Sequence, residues 1–468
     1  MFKEYIENNS KNIIGSVCDL ITYPSVSNSE ENSYFPFGKS CSEALKYFLN
    51  LANSLGFRTK NIDGYCGYAE CGEGEELIGI IGHLDVVPAK DDDWSYSPFI
   101  PTIRNNCIYG RGAIDDKGPV VASLYAMKAV LEYCKTNNIK MNKRIRLIVG
   151  LNEEKDWKCI TYYKEHEELP TVSFSPDGSF PVIFAEKGVL SMLLSARLPK
   201  NLPIEIESLD CNNNAINVVP KLASSILKIN KSFKAEYIIS ILKDIITKYS
   251  YEIDIYKIDE NNIKLTSYGK ASHSAHPELG VNAITKLLTV LNDLFVKVNL
   301  SIPILSTFCK YIGDDYSGSN MKINIKDESG ALTLNTSKLY IKDNKINIGI
   351  NLRIPIHTSM DDIINIFYKY FGNFSIEVIG RQEPLYVDKN NNLVTTLCGI
   401  FNKVCGTKLE PIAIGGATYA RAFDNCVSFG MNFPGDEDMC HKVDEFIEID
   451  KLLLATNIYA NALYKLLE

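Results

Sequence analysis

The chain has 468 residues, of which 46% are hydrophobic and 23% are charged, and this balance excludes a disordered or fibrous protein. Its 57 acidic and 49 basic residues give a net charge of −8 without a basic stripe, which argues against binding of nucleic acid. The sequence contains no continuous run of about 18 apolar residues, so we expect no membrane helix and no membrane partner.

The first predicted elements are two amphipathic helices and a buried strand. Apolar residues recur at helical spacing over residues 2–23, just before Pro24, and a second helix is predicted over 40–55. The run LIGIIGHLDVV, residues 77–87, is short, continuous and rich in Ile and Val, which is typical of a buried strand.

Helix and strand then alternate along the chain. The segment GRGAIDDKGP leads into a helical pattern with Pro119 in its first turn, and residues 144–151 are predicted to form another apolar strand. Residues 171–178 are typical of a strand end followed by a turn. This order predicts a parallel α/β sheet, in which ligand sites gather at the carboxyl ends of the strands.

The pattern changes twice further along the chain. From about residue 188, short β-like runs alternate with amphipathic helices, and the first pattern returns after about residue 385. We therefore predict an α/β fold in which residues 1–187 and 385–468 form a domain with a mostly parallel mixed sheet flanked by helices. Residues 188–384 are predicted to form an inserted α+β domain, although periodicity alone also fits a plain tandem of two domains.

The 13 cysteines are scattered along the chain, and no CxxC pair occurs among them. The sequence therefore indicates neither a zinc ribbon nor a disulfide framework, and dispersed thiols suit a reducing compartment. The N-terminal segment lacks the continuous apolar stretch of a signal peptide. We expect a cytoplasmic protein.

Two of the predicted strand and loop ends carry candidate metal ligands. His83 and Asp85 lie two apart on an extended segment, so His83 could bind a metal while Asp85 holds its other nitrogen. Taken alone, the pair is more typical of a metal-free hydrogen bond. Asp115 and Asp116 precede a helix and could bind a divalent cation, but alone they are more typical of a helix cap.

Further carboxylates and a late histidine complete the candidates. Glu153 and Glu154 follow a predicted strand, and on an extended segment they would point in opposite directions, one to a metal and one to a water as general base. Asp177 lies in the turn signature SPDG, and His441 lies in DMCHKVDE. Each of these signals is weak alone, since solvated acidic loops and structural histidines are common.

The set is more specific than its parts. Two histidines and three carboxylates suit Zn²⁺, Mn²⁺ or Co²⁺, and one shared carboxylate makes five ligands enough for two metals about 4 Å apart. Such a site polarises an amide carbonyl and produces a hydroxide nucleophile near neutral pH.

The chain resembles the dinuclear metallopeptidases that include glutamate carboxypeptidase, aminoacylase, carnosinase and the bacterial dipeptidase PepV, with the PepV type most similar. The resemblance spans roughly residues 80–445 and implies a zinc-exopeptidase-like catalytic domain with a lid. The matching runs, in family order, are GHLDVVP, GRGAIDDKGP, NEEKDWKC, SPDGSFPVIFAEKG, AINVVPKLA, GKASHSAHPELGVNA, NLRIP, GGATYAR and DMCHKVDE.

The resemblance implies a role for each candidate metal ligand. His83 and Asp177 would bind one metal, and Glu154 and His441 the other. Asp115 would bridge both metals. In the same way, Asp85 would orient His83, Asp116 would not be a ligand, and Glu153 would be the general base on the bridging water.

The resemblance also implies substrate contacts from the lid. His273 would donate to the developing oxyanion, with His276 as a second candidate three residues later. Asn217 and Arg353 would hold polar groups of the substrate, and Gly415 and Gly416 would let backbone amides approach its C-terminal carboxylate. Without the resemblance, a surface ion pair for the arginine and turn positions for the others are the simpler interpretations.

The sequence departs from the family pattern at two positions. Asn152 stands where the family usually has an aspartate before the paired glutamates, and Ala417 stands where the glycine run usually has its third glycine. Since Ala417 could narrow the carboxylate pocket, the substrate preference is open. Cys440, beside His441, is interpreted as a buried thiol rather than an inhibitory soft ligand.

We therefore predict a monomeric metal-dependent dipeptidase that binds a small peptide substrate and two divalent metal ions, zinc before manganese. One alternative is an N-acyl amino acid deacylase or desuccinylase with the same dinuclear site. A non-catalytic metal-binding protein is disfavoured by the intact set of ligands and base, and a nucleotide-binding enzyme by the lack of a phosphate loop.

Overall fold

The structure, a computed structural model, describes residues 1–28, 35–212, 215–230 and 232–468. The chain divides into two units. Unit 1 comprises Met1–Ala185, Tyr386–Ile412 and Thr418–Glu468, and unit 2 comprises Glu186–Leu385 and Ala413–Ala417. The assignment of residues 188–384 as a lid, and of the flanking residues as the catalytic domain, stays a prediction.

The helices of the described residues are mostly amphipathic, with one apolar face buried. They are α1 Lys3–Asn8, α2 Ser10–Ile21, α3 Lys39–Ser54, α4 Lys117–Thr136, α5 Lys158–His166, α6 Ala235–Tyr249, α7 Ala283–Lys297, α8 Pro303–Tyr311, α9 Met360–Phe371, α10 Asn392–Cys405 and α11 Ile449–Leu467.

The strands before residue 200 include the apolar runs identified in the sequence. They are β1 Arg58–Ile62, β2 Cys66–Gly72, β3 Leu77–His83, β4 Thr102–Arg104, β5 Cys107–Tyr109, β6 Arg144–Gly150, β7 Val172–Ser175, β8 Ile183–Glu186 and β9 Gly188–Arg197. The later strands are β10 Ile204–Asp210, β11 Leu222–Ile229, β12 Ile253–Lys257, β13 Asn262–Tyr268, β14 Lys326–Asp327, β15 Gly330–Ala331, β16 Thr333–Lys342, β17 Lys345–Ile354, β18 Ser375–Gln382, β19 Leu385–Tyr386, β20 Ile412–Ile414, β21 Cys426–Ser428 and β22 Phe446–Glu448.

Unit 1 is built on a mixed sheet of order β1-β2-β6-β3-β7-β21-β8-β19, with β20 also paired to β8. Strands β6, β3, β7 and β21 run parallel, and every residue of β3 is buried. A parallel strand covered on both faces is continuously apolar, which is why the run of residues 77–87 was recognisable. Helices α3, α4 and α5 pack against the sheet, as the predicted fold class requires.

The carboxyl ends of three parallel strands meet at one edge of this sheet. His83 at the end of β3 is paired in register with Gly150 at the end of β6, and β7 runs beside β3. The segments that leave these strands carry Asp85, Glu153 and Asp177. The sheet therefore gathers residues that are distant in sequence.

Unit 2 is an α+β unit with an eight-stranded antiparallel sheet of order β12-β13-β11-β10-β16-β17-β9-β18. Helix α7 packs on β11, β13 and β16, and its apolar face joins a core of Ile, Leu and Phe side chains. The alternating burial of β11 and β13 is typical of an antiparallel sheet with one covered face.

One predicted helix differs from the structure. The helix predicted over residues 2–23 is two helices, α1 and α2, because the Asn9 side chain donates to the Tyr5 carbonyl (2.8 Å) and competes with the helical backbone. None of the helices in the described part of the chain combines the length and apolar character needed to cross a bilayer.

Candidate metal centre

His83 lies at the end of β3 with its imidazole fully buried. Its Nδ1 donates to the main-chain oxygen of Asp85 (2.9 Å), which directs Nε2 toward the carboxylates. The nearest carboxylate oxygens to Nε2 are those of Asp115 (3.1 Å), Asp177 (3.7 Å) and Glu153 (3.9 Å). An imidazole held at Nδ1 and facing carboxylates through Nε2 is arranged as metal-ligating histidines are.

Asp115 stands between two imidazoles. Its Oδ1 lies 3.1 Å from His83 Nε2, and its Oδ2 lies 3.0 Å from His441 Nε2. Glu154 Oε1 also lies 3.0 Å from His441 Nε2. The two oxygens of one carboxylate thus face two separate groups of candidate ligands, the arrangement required of a bridging ligand.

The carboxylate of Asp85 organises the turn that carries the paired glutamates. It accepts hydrogen bonds from the backbone N–H groups of Glu153 (3.0 Å) and Glu154 (3.1 Å), and it lies 3.6 Å from His83 Nδ1. The predicted orienting contact to His83 is made by the main-chain oxygen of Asp85. Glu153 and Glu154 lie in a turn rather than in an extended segment, so strand alternation is the wrong reason for their different directions.

Asp116 is held by the backbone of β3. Its Oδ2 accepts a hydrogen bond from the backbone N–H of His83 (3.0 Å), and the residue is fully buried. The two adjacent aspartates therefore have different roles: Asp115 contacts the two histidines, and Asp116 binds the backbone of β3.

Concentrated negative charge raises the pKa values of the histidines. Burial lowers the pKa of His441, but the nearby carboxylates of Asp115 and Glu154 outweigh it and raise that pKa to about 11. Burial also opposes protonation of His83, while Asp115, Asp177 and Asp85 together raise its pKa well above the ordinary value. In the protein without metal, protons on the two histidines supply the positive charge that balances the carboxylates.

The acidic members respond in two ways. Burial raises the pKa of Glu153 well above its ordinary value, and burial together with the Asp115 charge raises the pKa of Asp177. Burial opposes ionisation of Asp115 as well, but its two histidine neighbours lower its pKa. The residue between the imidazoles is therefore the one held most firmly as an anion.

The donor atoms fit a divalent metal. The ligand atoms of His83, Asp115 and Glu154 lie within 4.8 Å of one another, and so do those of His83, Glu153 and Asp177. Among the described residues, the buried Nε2 of His83 has no hydrogen-bond partner of proper geometry. Imidazole and carboxylate donors suit zinc, manganese and cobalt alike.

Sequence reasoning missed Glu445, which supports the loop of Asp115. The buried carboxylate of Glu445 accepts from the backbone N–H groups of Gly112 (3.1 Å), Ile114 (2.9 Å) and Asp115 (3.2 Å), and from Arg111 Nη1 (2.7 Å). Burial and the Asp115 charge raise the pKa of Glu445 to about 7. In the sequence, the signal that pointed to a role for Glu445 near the site was its position four residues after His441.

Lys117 also supports this loop from within the core. Its side chain is fully buried, and Nζ donates to the main-chain oxygen of Tyr23 (2.7 Å). Burial lowers the pKa of Lys117 to about 7. The lysine of the DDKG run therefore joins the start of α4 to the segment after α2.

In unit 2, the structure brings Asn217 and His273 together. The main-chain oxygen of Asn217 accepts from the Ser274 N–H (2.9 Å), and Val218 pairs with His273 in an isolated β-bridge. The N–H of Ala275 donates to Nδ1 of His273 (3.3 Å). A neutral His273 therefore carries its proton on Nε2 and can donate from that atom.

Arg353 and the glycine run also meet within unit 2. Arg353 is buried, and its Nη1 donates to the main-chain oxygen of Gly415 (3.0 Å). A Cβ at Gly415 would lie 2.9 Å from the Cβ of Ala275, so close packing requires glycine there. Gly416 has no such close neighbour, since a Cβ there would meet Ile414 at 3.5 Å.

The positions that raised questions in the sequence have structural partners. His276 is exposed, and its Nδ1 lies 3.3 Å from Glu278 Oε1. Asn152 is buried, donates to Ser27 Oγ (2.9 Å) and accepts from the Lys158 N–H (3.1 Å). The amide at 152 thus joins three segments, a structural role that does not depend on charge.

The model of peptidase family M20/M25/M40 matches residues 79–465, a range that contains all the candidate ligands and substrate contacts. The chain belongs to this family. The predicted recognition is thereby confirmed, and the M20 chain is a metallopeptidase.

Curated relatives of this M20 peptidase cover nearly its whole length. A Bacillus subtilis (strain 168) protein named "Putative dipeptidase YtjP" is 38% identical over 447 residues, which are 92% of each chain. A Staphylococcus epidermidis (strain ATCC 12228 / FDA PCI 1200) protein named "Putative dipeptidase" is 34% identical over 485 aligned positions, covering 100% of this chain and 99% of the relative.

Solved structures share the fold of this M20 peptidase. Human carnosine dipeptidase 1 matches with a TM-score of 0.60 at 13% identity, covering 100% of this chain and 98% of that one. The di-peptidase Dug1p from Saccharomyces cerevisiae matches with a TM-score of 0.58 at 13% identity, covering 99% and 97%. The likeness confirms the predicted fold class.

Proposed function

We propose that this M20 peptidase hydrolyses the peptide bond of dipeptides that have a free C-terminus. The observation that carries the hydrolytic part is the carboxylate of Asp115, whose two oxygens face His83 and His441 at 3.1 and 3.0 Å. The dipeptide part is supported by the names of relatives that are 33–38% identical over 92–100% of this chain.

Two divalent metal ions belong to the proposal, zinc before manganese. His83 and Asp177 would hold one, Glu154 and His441 the other, and Asp115 both. When bound, the metals would polarise the scissile carbonyl and lower the pKa of water.

Glu153 is proposed as the general base. Its backbone N–H is fixed by the Asp85 carboxylate, and its Oε2 lies 3.9 Å from His83 Nε2. This carboxylate would take a proton from the attacking water and deliver it to the leaving amine. The main-chain hydrogen bond keeps the base in place without occupying its own oxygens.

Residues of unit 2 are proposed to bind the substrate. His273 would donate from Nε2 to the oxyanion that develops on the scissile carbonyl. Asn217 and Arg353 would hold polar groups of the dipeptide, with the arginine directed to the C-terminal carboxylate together with the backbone of Gly415 and Gly416. Ala417 is expected to narrow this carboxylate site relative to a glycine.

The test is turnover of a dipeptide panel by chelated protein, with Zn²⁺ or Mn²⁺ added back. We expect activity that depends on metal and that is lost in Glu153→Gln. The control variant Glu43→Gln should retain activity, because Glu43 is an exposed residue that pairs with Lys39 at the surface. N-acetyl and N-succinyl amino acids are assayed in parallel. Their hydrolysis without any dipeptide turnover would replace the proposal by the deacylase or desuccinylase alternative.

A further inference from the structure

Asn335 on β16 is a buried amide whose polar atoms are all engaged. Its Nδ2 donates to Ser274 Oγ (2.7 Å) and to the main-chain oxygen of Val218 (3.0 Å). Its Oδ1 accepts from Asn282 Nδ2 (3.0 Å), and the residue is 2% exposed. A buried amide is costly unless such bonds are made, so its contacts define what this position does.

Both donor bonds of Asn335 end beside a proposed substrate residue. Val218 follows Asn217, and Ser274 follows His273. We call these five residues the His273 frame: Asn217, Val218, His273, Ser274 and Asn335. The backbone of the frame is also closed on itself, since the Ser274 N–H donates to Asn217 O (2.9 Å) and Val218 pairs with His273.

A second residue of β16 fastens the same loop. Thr333 Oγ1 donates to the main-chain oxygen of Ser274 (3.1 Å). Thr333 is paired in register with Arg353 on β17. The two strands therefore connect the loop of His273 to the strand that carries the proposed carboxylate-binding arginine.

The contact to Ser274 bears on the chemistry of the imidazole. Ser274 lies between His273 and Ala275, and the Ala275 N–H donates to His273 Nδ1. Holding Ser274 therefore holds both the ring and the group that leaves the proton on Nε2. Small displacements of a hydrogen-bond donor from an oxyanion strongly lower the reaction rate.

We propose that Asn335 is a positioning residue that sets the placement of the His273 Nε2–H donor through Ser274, and this inference rests on the proposed function. The substrate never touches Asn335. Its effect on catalysis passes entirely through His273.

The deciding experiment compares Asn335→Ala in two backgrounds, the wild type and His273→Ala. In the wild type we expect kcat for a dipeptide to fall by ~10–100-fold with KM changed by less than ~3-fold, as for a misplaced transition-state donor. In the His273→Ala background the same substitution should lower kcat by less than ~2-fold, because the group it positions is gone. Equal losses in both backgrounds, or no loss in the wild type, would overturn the proposal.

Asn347→Ala is the matched control. Asn347 is a buried asparagine on β17 of the same sheet, bonded to Ser195 Oγ (2.7 Å) and Lys345 O (3.1 Å). We expect it to leave kcat in place at a similar cost in thermal stability. Ser274→Ala removes the 2.7 Å bond from the other side, should reproduce the kcat effect, and replaces Asn335→Ala if that variant does not fold.

Amide hydrogen exchange gives a readout independent of activity. Exchange of residues 272–276 should be faster in Asn335→Ala than in the wild type and unchanged in Asn347→Ala; unchanged exchange in both would overturn the proposal. If the wild type cleaves no dipeptide, or His273→Ala keeps the wild-type kcat, the proposed function fails instead. The exchange result then still decides whether Asn335 holds the loop.

Discussion

The candidate metal centre of unit 1 and the His273 frame of unit 2 are each stabilised by a different kind of interaction. The metal centre consists of charged groups, and even its supports, Asp85 and Glu445, are buried carboxylates that accept backbone N–H bonds. In the frame, the bonds from Asn335 that hold the loop of His273 join neutral amide, hydroxyl and backbone groups. A charged cluster needs protons or metal to be stable, whereas a neutral frame keeps its geometry without them.

The difference teaches where pH and metal should act on this protein. Carboxylates that face one another are tolerated only with compensating positive charge, which explains the raised pKa values of both histidines. The hydrogen bonds that Asn335 donates to Ser274 and Val218 involve no ionised group. Conditions that alter the first region should therefore leave the second unchanged, and the following experiments probe that contrast.

The largest effect is expected from Asp115→Asn. The amide has one acceptor oxygen instead of the two of the carboxylate. Only one of the two histidines, His83 or His441, can then keep an oxygen of residue 115 beside its Nε2. We expect kcat to fall by at least ~10³-fold, more than for loss of a single oxyanion donor, together with loss of one bound metal. Metal content and steady-state kinetics check this, with exposed Asp92→Asn as the control.

His273→Ala is the corresponding change in unit 2. We expect kcat to fall by ~10²–10³-fold, as for removal of an oxyanion donor, while metal content and its pH dependence stay as in the wild type. His276→Ala, three residues away and paired with Glu278, is the matched control. A larger loss in His276→Ala than in His273→Ala would transfer the donor role to His276.

Metal affinity should rise with pH. The pKa of His441 is raised to about 11 in the metal-free protein, so below that pH its Nε2 carries a proton that a metal must displace. Each such proton makes the affinity ~10-fold weaker per unit of falling pH. Competition with a chelator between pH 6.5 and 8.5 measures the slope, and a flat profile would contradict the assignment of His441 as a ligand.

The smallest effect is expected from Glu445→Gln. The substitution weakens the acceptor of three backbone N–H groups and leaves Arg111 without its charged partner, so unfolding free energy should drop by about 1–3 kcal/mol. Metal affinity should fall by ~10-fold, as for other supports of a ligand. Chemical denaturation and metal titration test both, against Glu448→Gln, whose exposed carboxylate pairs with Lys451.

The parallel core of unit 1 was predictable because its strands are continuous apolar runs. Strands β3 and β6 lie within the predicted runs 77–87 and 144–151, although β3 ends at His83, four residues before its run does. The rule on carboxyl ends of parallel strands predicted that the candidate ligands lie close together. Pattern was enough because burial on both faces leaves a strong compositional mark.

Other features had no such mark in the sequence. Glu445 supports Asp115 through backbone amides, which are the same in every residue type, so nothing in the sequence identifies its partners. Asn335 lies among other polar residues of β16, and only the structure shows that it contacts Ser274. The turn at Glu153 was missed because the Asp85 carboxylate, which accepts from its backbone, comes from the distant segment that follows β3.

The order of these segments along the chain has a consequence for biosynthesis. Strand β21 lies between β7 and β8 in the sheet, and both His441 and Glu445 follow it. A nascent polypeptide therefore lacks a strand of this sheet until β21 has been made, and it lacks one of the five candidate ligands until His441 has been made. We expect newly made chains to complete their metal site, and with it to gain any peptidase activity, only after His441 and Glu445 have been made and have left the ribosome.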